Sequence, residues 1–72
     1  GVIIAKNYRR RGFAKEALKL LSIYSFETLN LKRLDCNIEK DNLWSITLFT
    51  SCGFELEREK EELKYFIKLA KN

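Results

Sequence analysis

Tyr8-Arg9-Arg10-Arg11-Gly12-Phe13-Ala14 is the stretch on which the reading of this chain turns. It joins two segments of different period. Before it, Val2 to Ala5 is a short, continuous, largely β-branched run, the pattern of a strand buried on both faces. After it, Ala14, Ala17, Leu18, Leu21, Tyr24 and Thr28 recur at helical spacing and predict one core face of a helix of about four turns that stops near Asn30. On this reading Tyr24 is a core residue, and Leu20 and Ile23 add apolar surface that calls for cover on a second side.

A strand–turn–helix junction presents backbone N–H groups and the positive end of the helix dipole, a combination suited to phosphate. Gly12 is read as the turn residue, which lets the backbone bend and approach a ligand without a Cβ in the way. Ala14 keeps the first helical turn slim. The charge agrees with this placement. The chain has 14 Lys and Arg against 10 Asp and Glu, a net +4. Lys6, Arg9, Arg10, Arg11 and Lys15 precede any acidic residue, so the whole positive excess lies at the junction. Two other readings compete. The Arg triplet alone is also the signature of a solvated loop, and basic clusters attract nucleic acid. A compact diphosphate fits better than a long polyanion, because the basic charge is concentrated and the chain is acidic around residues 55–62.

Further along, Leu34, Cys36 and Ile38 alternate with Arg33, Asp35 and Asn37, the pattern of a half-exposed strand. Asp41 and Asn42 offer N-caps to a second helix, Leu43 to Cys52, which Gly53 stops. Phe54 and Leu56 alternate with Glu55 and Glu57, and Leu63, Tyr65, Ile67 and Leu69 alternate with Lys64, Phe66, Lys68 and Ala70. These read as two strands turning among residues 59–62, although Glu59 to Leu69 can also be drawn as a helix. The expected order is β-α-β-α-β-β in a single α/β (mixed α+β) domain, one sheet with a layer of helices.

Seventy-two residues hold one small core. With no His, a His-ligated zinc site, a His base and a Ser-His-Asp triad are excluded, and no metal is expected. No apolar run approaches the about 20 residues of a membrane span. Cys36 and Cys52 are unclustered and read as packing thiols of a cytoplasmic protein. With no Met and a strand at its start, the chain reads as a fragment or a trimmed product.

Two motifs together resemble the GNAT N-acetyltransferases. Arg9-Arg10-Arg11-Gly12-Phe13-Ala14 is similar to that family's Arg/Gln-x-x-Gly-x-Gly/Ala signature, and Ala14-Lys15-Glu16-Ala17-Leu18 to its continuation. Asn42 to Phe54 resembles its N-x-x-A/S-x-x-L-Y-x-K-x-G-F run, with Phe49 in place of the usual Tyr and Ser51 in place of the Lys. The resemblance covers essentially residues 1–72. It implies the C-terminal portion of the acyl-CoA N-acyltransferase fold, with N-terminal strands and helices missing.

The resemblance further implies acetyl-CoA as co-substrate and a primary amine as acceptor. The diphosphate of coenzyme A would sit on the amides of Arg11, Gly12, Phe13 and Ala14, with Arg9 and Arg10 nearby. The strand edge at Ile3, Ile4 and Ala5 would pair with the pantetheine amides, as an added strand does. Asn42 would reach the pantetheine arm and Ser45 would line its channel. For Asn42 the competing role is a helix cap, and for Ser45 a small packing residue.

No catalytic residue follows from the resemblance, since Phe49 carries no proton where the family's Tyr commonly acts as acid. That substitution keeps open a second reading, a catalytically weak or inactive coenzyme-A-binding or assembly module. Phe26 to Leu34 and the N-x-x-S form resemble the branch acting on protein N-termini, polyamines and amino-sugars. An unpaired edge on the Val2–Ala5 strand would further favour a homodimer or pairing with the missing half.

Overall fold

The computed structural model describes residues 2–4 and 11–71. Strand β1 (Val2–Ile4) is followed by helix α1 (Arg11–Ile23) and a π-helical turn, Tyr24–Thr28. Strand β2 (Arg33–Glu39), helix α2 (Leu43–Ser51), and strands β3 (Glu55–Lys60) and β4 (Leu63–Leu69) complete the order. The sheet runs β1-β2-β4-β3, with β1 parallel to β2 and the other pairs antiparallel. The predicted order therefore stands, and residues 59–69 form a hairpin rather than a helix. Its turn is Glu61 and Glu62, with Glu61 in the left-handed region at φ 55°.

Alternation in β2 is as the sequence predicts. Leu34, Cys36 and Ile38 are buried, and the residues between them are not. Across β4, Phe66 pairs with Cys36 and joins that buried face. Ala14 and Leu18 of α1, Leu48, Phe49 and Cys52 of α2, and Phe54 close over it as one core. Both helices thus cover the same side of the sheet. The opposite side, with Asp35, Asn37, Tyr65 and Ile67, is half-buried, without a helix over it among the described residues.

Three expectations are corrected. First, the buried line of α1 runs through Ala14, Leu18, Ser22 and Ser25, not through Ala17, Leu21, Tyr24 and Thr28. Tyr24, expected in the core, is 52% exposed, and Leu20, Leu21 and Ile23 are exposed with it. The helix lies with its small residues inward because α2 ends against it: the Cys52 thiol approaches the Lys15 carbonyl at 3.9 Å. Ser22 tolerates burial by donating to the Leu18 carbonyl at 2.9 Å.

Second, α1 begins at Arg11, so Gly12 is a helical residue and not a turn. Third, Leu56 is exposed although Phe54 is buried, since β3 is an edge strand with every residue exposed. A bulge at Glu57 breaks its register between Leu56 and Arg58.

Loop geometry follows local chemistry. Asn30, the expected stop, takes φ 56°, and Gly53 takes φ 92°, the left-handed conformation that ends α2. No described helix is long and apolar enough to cross a membrane. Of the sequence-predicted strand and loop, Ala5 and residues 6–10 lie outside the described residues.

Candidate functional site

The parallel pairing of β1 with β2 sets the site's location. Val2 pairs with Asp35 and Ile4 with Asn37, so both strands end at the same margin of the sheet. From that margin the chain passes from β1 into α1 and from β2 into α2. In chain order α1 follows β1 and α2 follows β2 of this parallel pair, and open α/β sheets bind ligands beyond the ends of such strands. Each helix N-terminus contributes backbone N–H donors and the positive end of a helix dipole.

At the first of these termini the predicted residues divide. Arg11 opens α1, and no acidic residue occupies its first turn. Ala14 is buried at 6% exposure and anchors that turn to the core. Gly12 and Phe13 are exposed. Among the described residues, a Cβ built on Gly12 would meet nothing within 4 Å, so the helix surface there is open on their side. The glycine does not supply an unusual backbone angle; it supplies a bare patch of helix backbone. That is the surface a diphosphate needs in order to approach the amides closely. Ile3 and Ile4 are fixed by their register in β1, whereas Ala5, Arg9 and Arg10 lie outside the described residues.

The second terminus holds Asn42 and Ser45. Asn42 is the N-cap of α2: its Oδ1 accepts from the Ser45 N–H at 3.2 Å. The cap uses the oxygen and leaves the carboxamide NH2 without a partner among the described residues. A hollow of about 450 Å³ lies beside it, lined by Glu39, Asp41, Asn42, Leu43 and Trp44. Ser45 is fully buried, and its Oγ finds no hydrogen-bond partner among the described residues. A buried hydroxyl left unpaired carries a free-energy cost of about 1–3 kcal/mol, and Ser45 does not line that hollow. The donors at the surface, the amides around Gly12 and the Asn42 carboxamide, suit the phosphate and amide groups of coenzyme A.

Phe49 is not part of this surface. It is 1% exposed and meets Phe54 edge-on, with ring centroids 5.1 Å apart. Cys36 and Cys52 are both buried and in no disulfide, in keeping with packing roles. Among the described residues no cluster of His, Cys, Asp or Glu could hold a metal.

Sequence reasoning missed the polar network on the uncovered sheet face. Arg33 donates to Asp35 and Glu57, both at 2.8 Å, and so ties β2 to β3 across β4. Its guanidinium is held charged more firmly than usual, first by the bond to Asp35 and then by that to Glu57. Arg58 lies over the Tyr65 ring, 4.2 Å from its centroid. The alternation of Arg33 with Asp35 signals the first pair; nothing local signals Glu57, which the bulge re-aims.

Comparison with known proteins points in one direction. Residues 1–55 match the model of the Acetyltransferase (GNAT) domain family. An uncharacterized N-acetyltransferase p20 of Bacillus licheniformis is 37% identical over 67 residues, covering 89% of this chain and 38% of its own length. The spermidine N(1)-acetyltransferase of Escherichia coli K12 is 36% identical over 58 residues, covering 81% of this chain and 31% of its own length. In structure, the Campylobacter jejuni N-acetyltransferase PseH in complex with acetyl coenzyme A matches with a TM-score of 0.78 at 20% identity, over 83% of this chain and 43% of that one. That last likeness is one of fold. The chain therefore spans between about a third and a half of the length of these proteins.

Proposed function

The chain belongs to the GNAT acetyltransferase family, and from that premise we propose that it forms the donor-binding part of an N-acetyltransferase that moves the acetyl group of acetyl-CoA to a primary amine. What supports this reading is that α1 and α2 each follow one strand of the parallel β1–β2 pair, with space over Gly12 that is open among the described residues and a carboxamide NH2 left over on the capping Asn42. The diphosphate rests on the first turn of α1, at Arg11 to Ala14, under the added positive field of Arg9 and Arg10. The edge of β1 at Ile3 to Ala5 pairs with the pantetheine amides. Asn42 offers its free NH2 hydrogens to the pantetheine arm while its oxygen caps α2.

The acceptor class is narrowed by kinship. A relative acts on spermidine, which supports an amine acceptor of the polyamine type, with amino-sugars and protein N-termini as the other members of the expected set. The buried thiols of Cys36 and Cys52, in no disulfide, support a reducing, cytoplasmic setting.

The test is direct. Coenzyme A is titrated into the protein by calorimetry, and acetyl-CoA turnover is followed with spermidine, an amino-sugar and a peptide with a free N-terminus. Saturable binding with turnover of one class supports the reading. Binding without turnover of any amine supports a coenzyme-A-binding module, which the lack of a hydroxyl on Phe49 favours. Absence of binding overturns both.

A further inference from the structure

Strand β3 is an outer edge of the sheet, and every one of its residues is exposed. Among the described residues no strand lies beyond it. The edge reads Glu55-Leu56-Glu57-Arg58-Glu59-Lys60. An open edge is a template for another strand, and charged side chains of one sign blunt it by repelling a second copy of the same edge. Here the charges are of both signs, and the bulge sets where they point.

Glu55 pairs with Ile67, Arg58 with Tyr65 and Lys60 with Leu63, so all three share the sheet face that the helices leave uncovered. Glu57, the extra residue of the bulge, reaches the same face, where its Oε1 accepts from Arg33 at 2.8 Å. Leu56 pairs with Phe66 and Glu59 with Lys64, on the helix side. Along the strand the uncovered face thus carries two acids, Glu55 and Glu57, and then two bases, Arg58 and Lys60. In a regular strand, residues an odd number of positions apart point to opposite faces. The bulge cancels that offset, so Glu55 shares a face with Lys60, Leu56 with Glu59, and Glu57 with Arg58.

Consider a twofold axis normal to the sheet, between Glu57 and Arg58. It sets a second copy of β3 antiparallel to the first and keeps each face on its own side. Glu55 then opposes Lys60 of the second copy, Glu57 opposes Arg58, and Leu56 opposes Glu59. Every charge on the uncovered face meets its opposite. On the helix side Leu56, 46% exposed in one copy, lies diagonally across the seam from its symmetry mate. The central pair is already held in place: Arg58 stacks on Tyr65 at 4.2 Å, and Arg33 takes one oxygen of Glu57 and leaves the other.

We propose that β3 is a self-association edge, at which two copies of this chain pair antiparallel about Glu57 and Arg58 and join their sheets into one. The proposal does not depend on the transferase reading above.

The experiment is sedimentation equilibrium over a concentration series, on wild type, Glu55→Lys, Lys60→Glu and the double variant that carries both changes. Wild type is expected to be a reversible dimer. Each single reversal sets like charges opposite one another at both ends of the seam and is expected to weaken dimerisation at least about tenfold. The double variant restores opposite charges and is expected to return to within about threefold of wild type. An equimolar mixture of the two single variants should form a heterodimer, since each supplies the charge that the other lacks. Urea midpoints that match wild type show that the variants remain folded. A wild-type protein that stays monomeric overturns the proposal. So does a dimer that the single reversals leave unchanged, or one that the double variant fails to restore.

Discussion

The ammonium of Lys68 donates a 2.7 Å hydrogen bond to the carbonyl of Cys52, at the C-terminal end of α2. It thus satisfies one of the carbonyls that a helix end leaves without an intrahelical partner, and places a positive charge at the negative end of the dipole. Gly53 makes the contact possible. A Cβ there would come within 3.3 Å of the Lys68 Cε, and the backbone already sits at φ 92°. Substitution Gly53→Ala is expected to destabilise the fold by about 1–2 kcal/mol, the cost of a Cβ in the left-handed region, read as a lower urea midpoint with an unchanged slope. Lys68→Met, which keeps the stem and removes the charge, is expected to cost about 1 kcal/mol.

Gly12 separates stability from binding. It lies inside α1 with no described residue near its missing Cβ, so Gly12→Ala should raise the stability of the unliganded protein by up to about 1 kcal/mol through helix propensity. The same methyl stands on the surface proposed for the diphosphate and should weaken coenzyme A binding at least about tenfold. Thermal melts and calorimetric titration of one variant read both effects. A Gly12→Ala protein that is more stable and binds coenzyme A as wild type does would remove Gly12 from the site.

Asn42 likewise has two roles that a substitution can split. Asn42→Ala removes the cap from the Ser45 N–H and is expected to cost about 1 kcal/mol. Asn42→Ser retains a capping oxygen and loses the NH2 donors. Its urea midpoint should match wild type while its coenzyme A affinity falls several-fold. Equal affinity in Asn42→Ser would confine Asn42 to capping.

The contacts of Phe49 forecast a stability effect of another size. Its ring is buried between the sheet and the end of α2, and Phe49→Ala should lower stability by about 3–5 kcal/mol through lost burial and the cavity left behind. By contrast, Arg33→Met removes exposed ion pairs to Asp35 and Glu57. It should leave the urea midpoint nearly unchanged, and any small difference should vanish in about 1 M salt. The raised proton affinity of Arg33 means that its ion pairs contribute fully below the ordinary arginine range and are lost only in strong alkali, so neutral-range pH profiles of stability should not respond to this residue.

The amino-acid sequence by itself determined what short-range chemistry can specify. Period-two alternation placed Leu34, Cys36 and Ile38 on the core side of β2, Asn42 opened α2, Gly53 closed it, and the acidic turn divided the last hairpin. The junction proposed to bind phosphate was read from a Gly beside concentrated positive charge between a strand and a helix. Only the tertiary structure decided which side of α1 is buried, because that depends on where α2 ends. Ser22 and Ser25 go inward against the sheet and the second helix, while Tyr24 stays in solvent. It also decided the strand order β1-β2-β4-β3, and with it the row that brings Tyr65 beside Asn37 and Ile4. Such pairings join residues tens of positions apart, and their free energy comes from burial shared among several elements at once, which no local window of sequence contains.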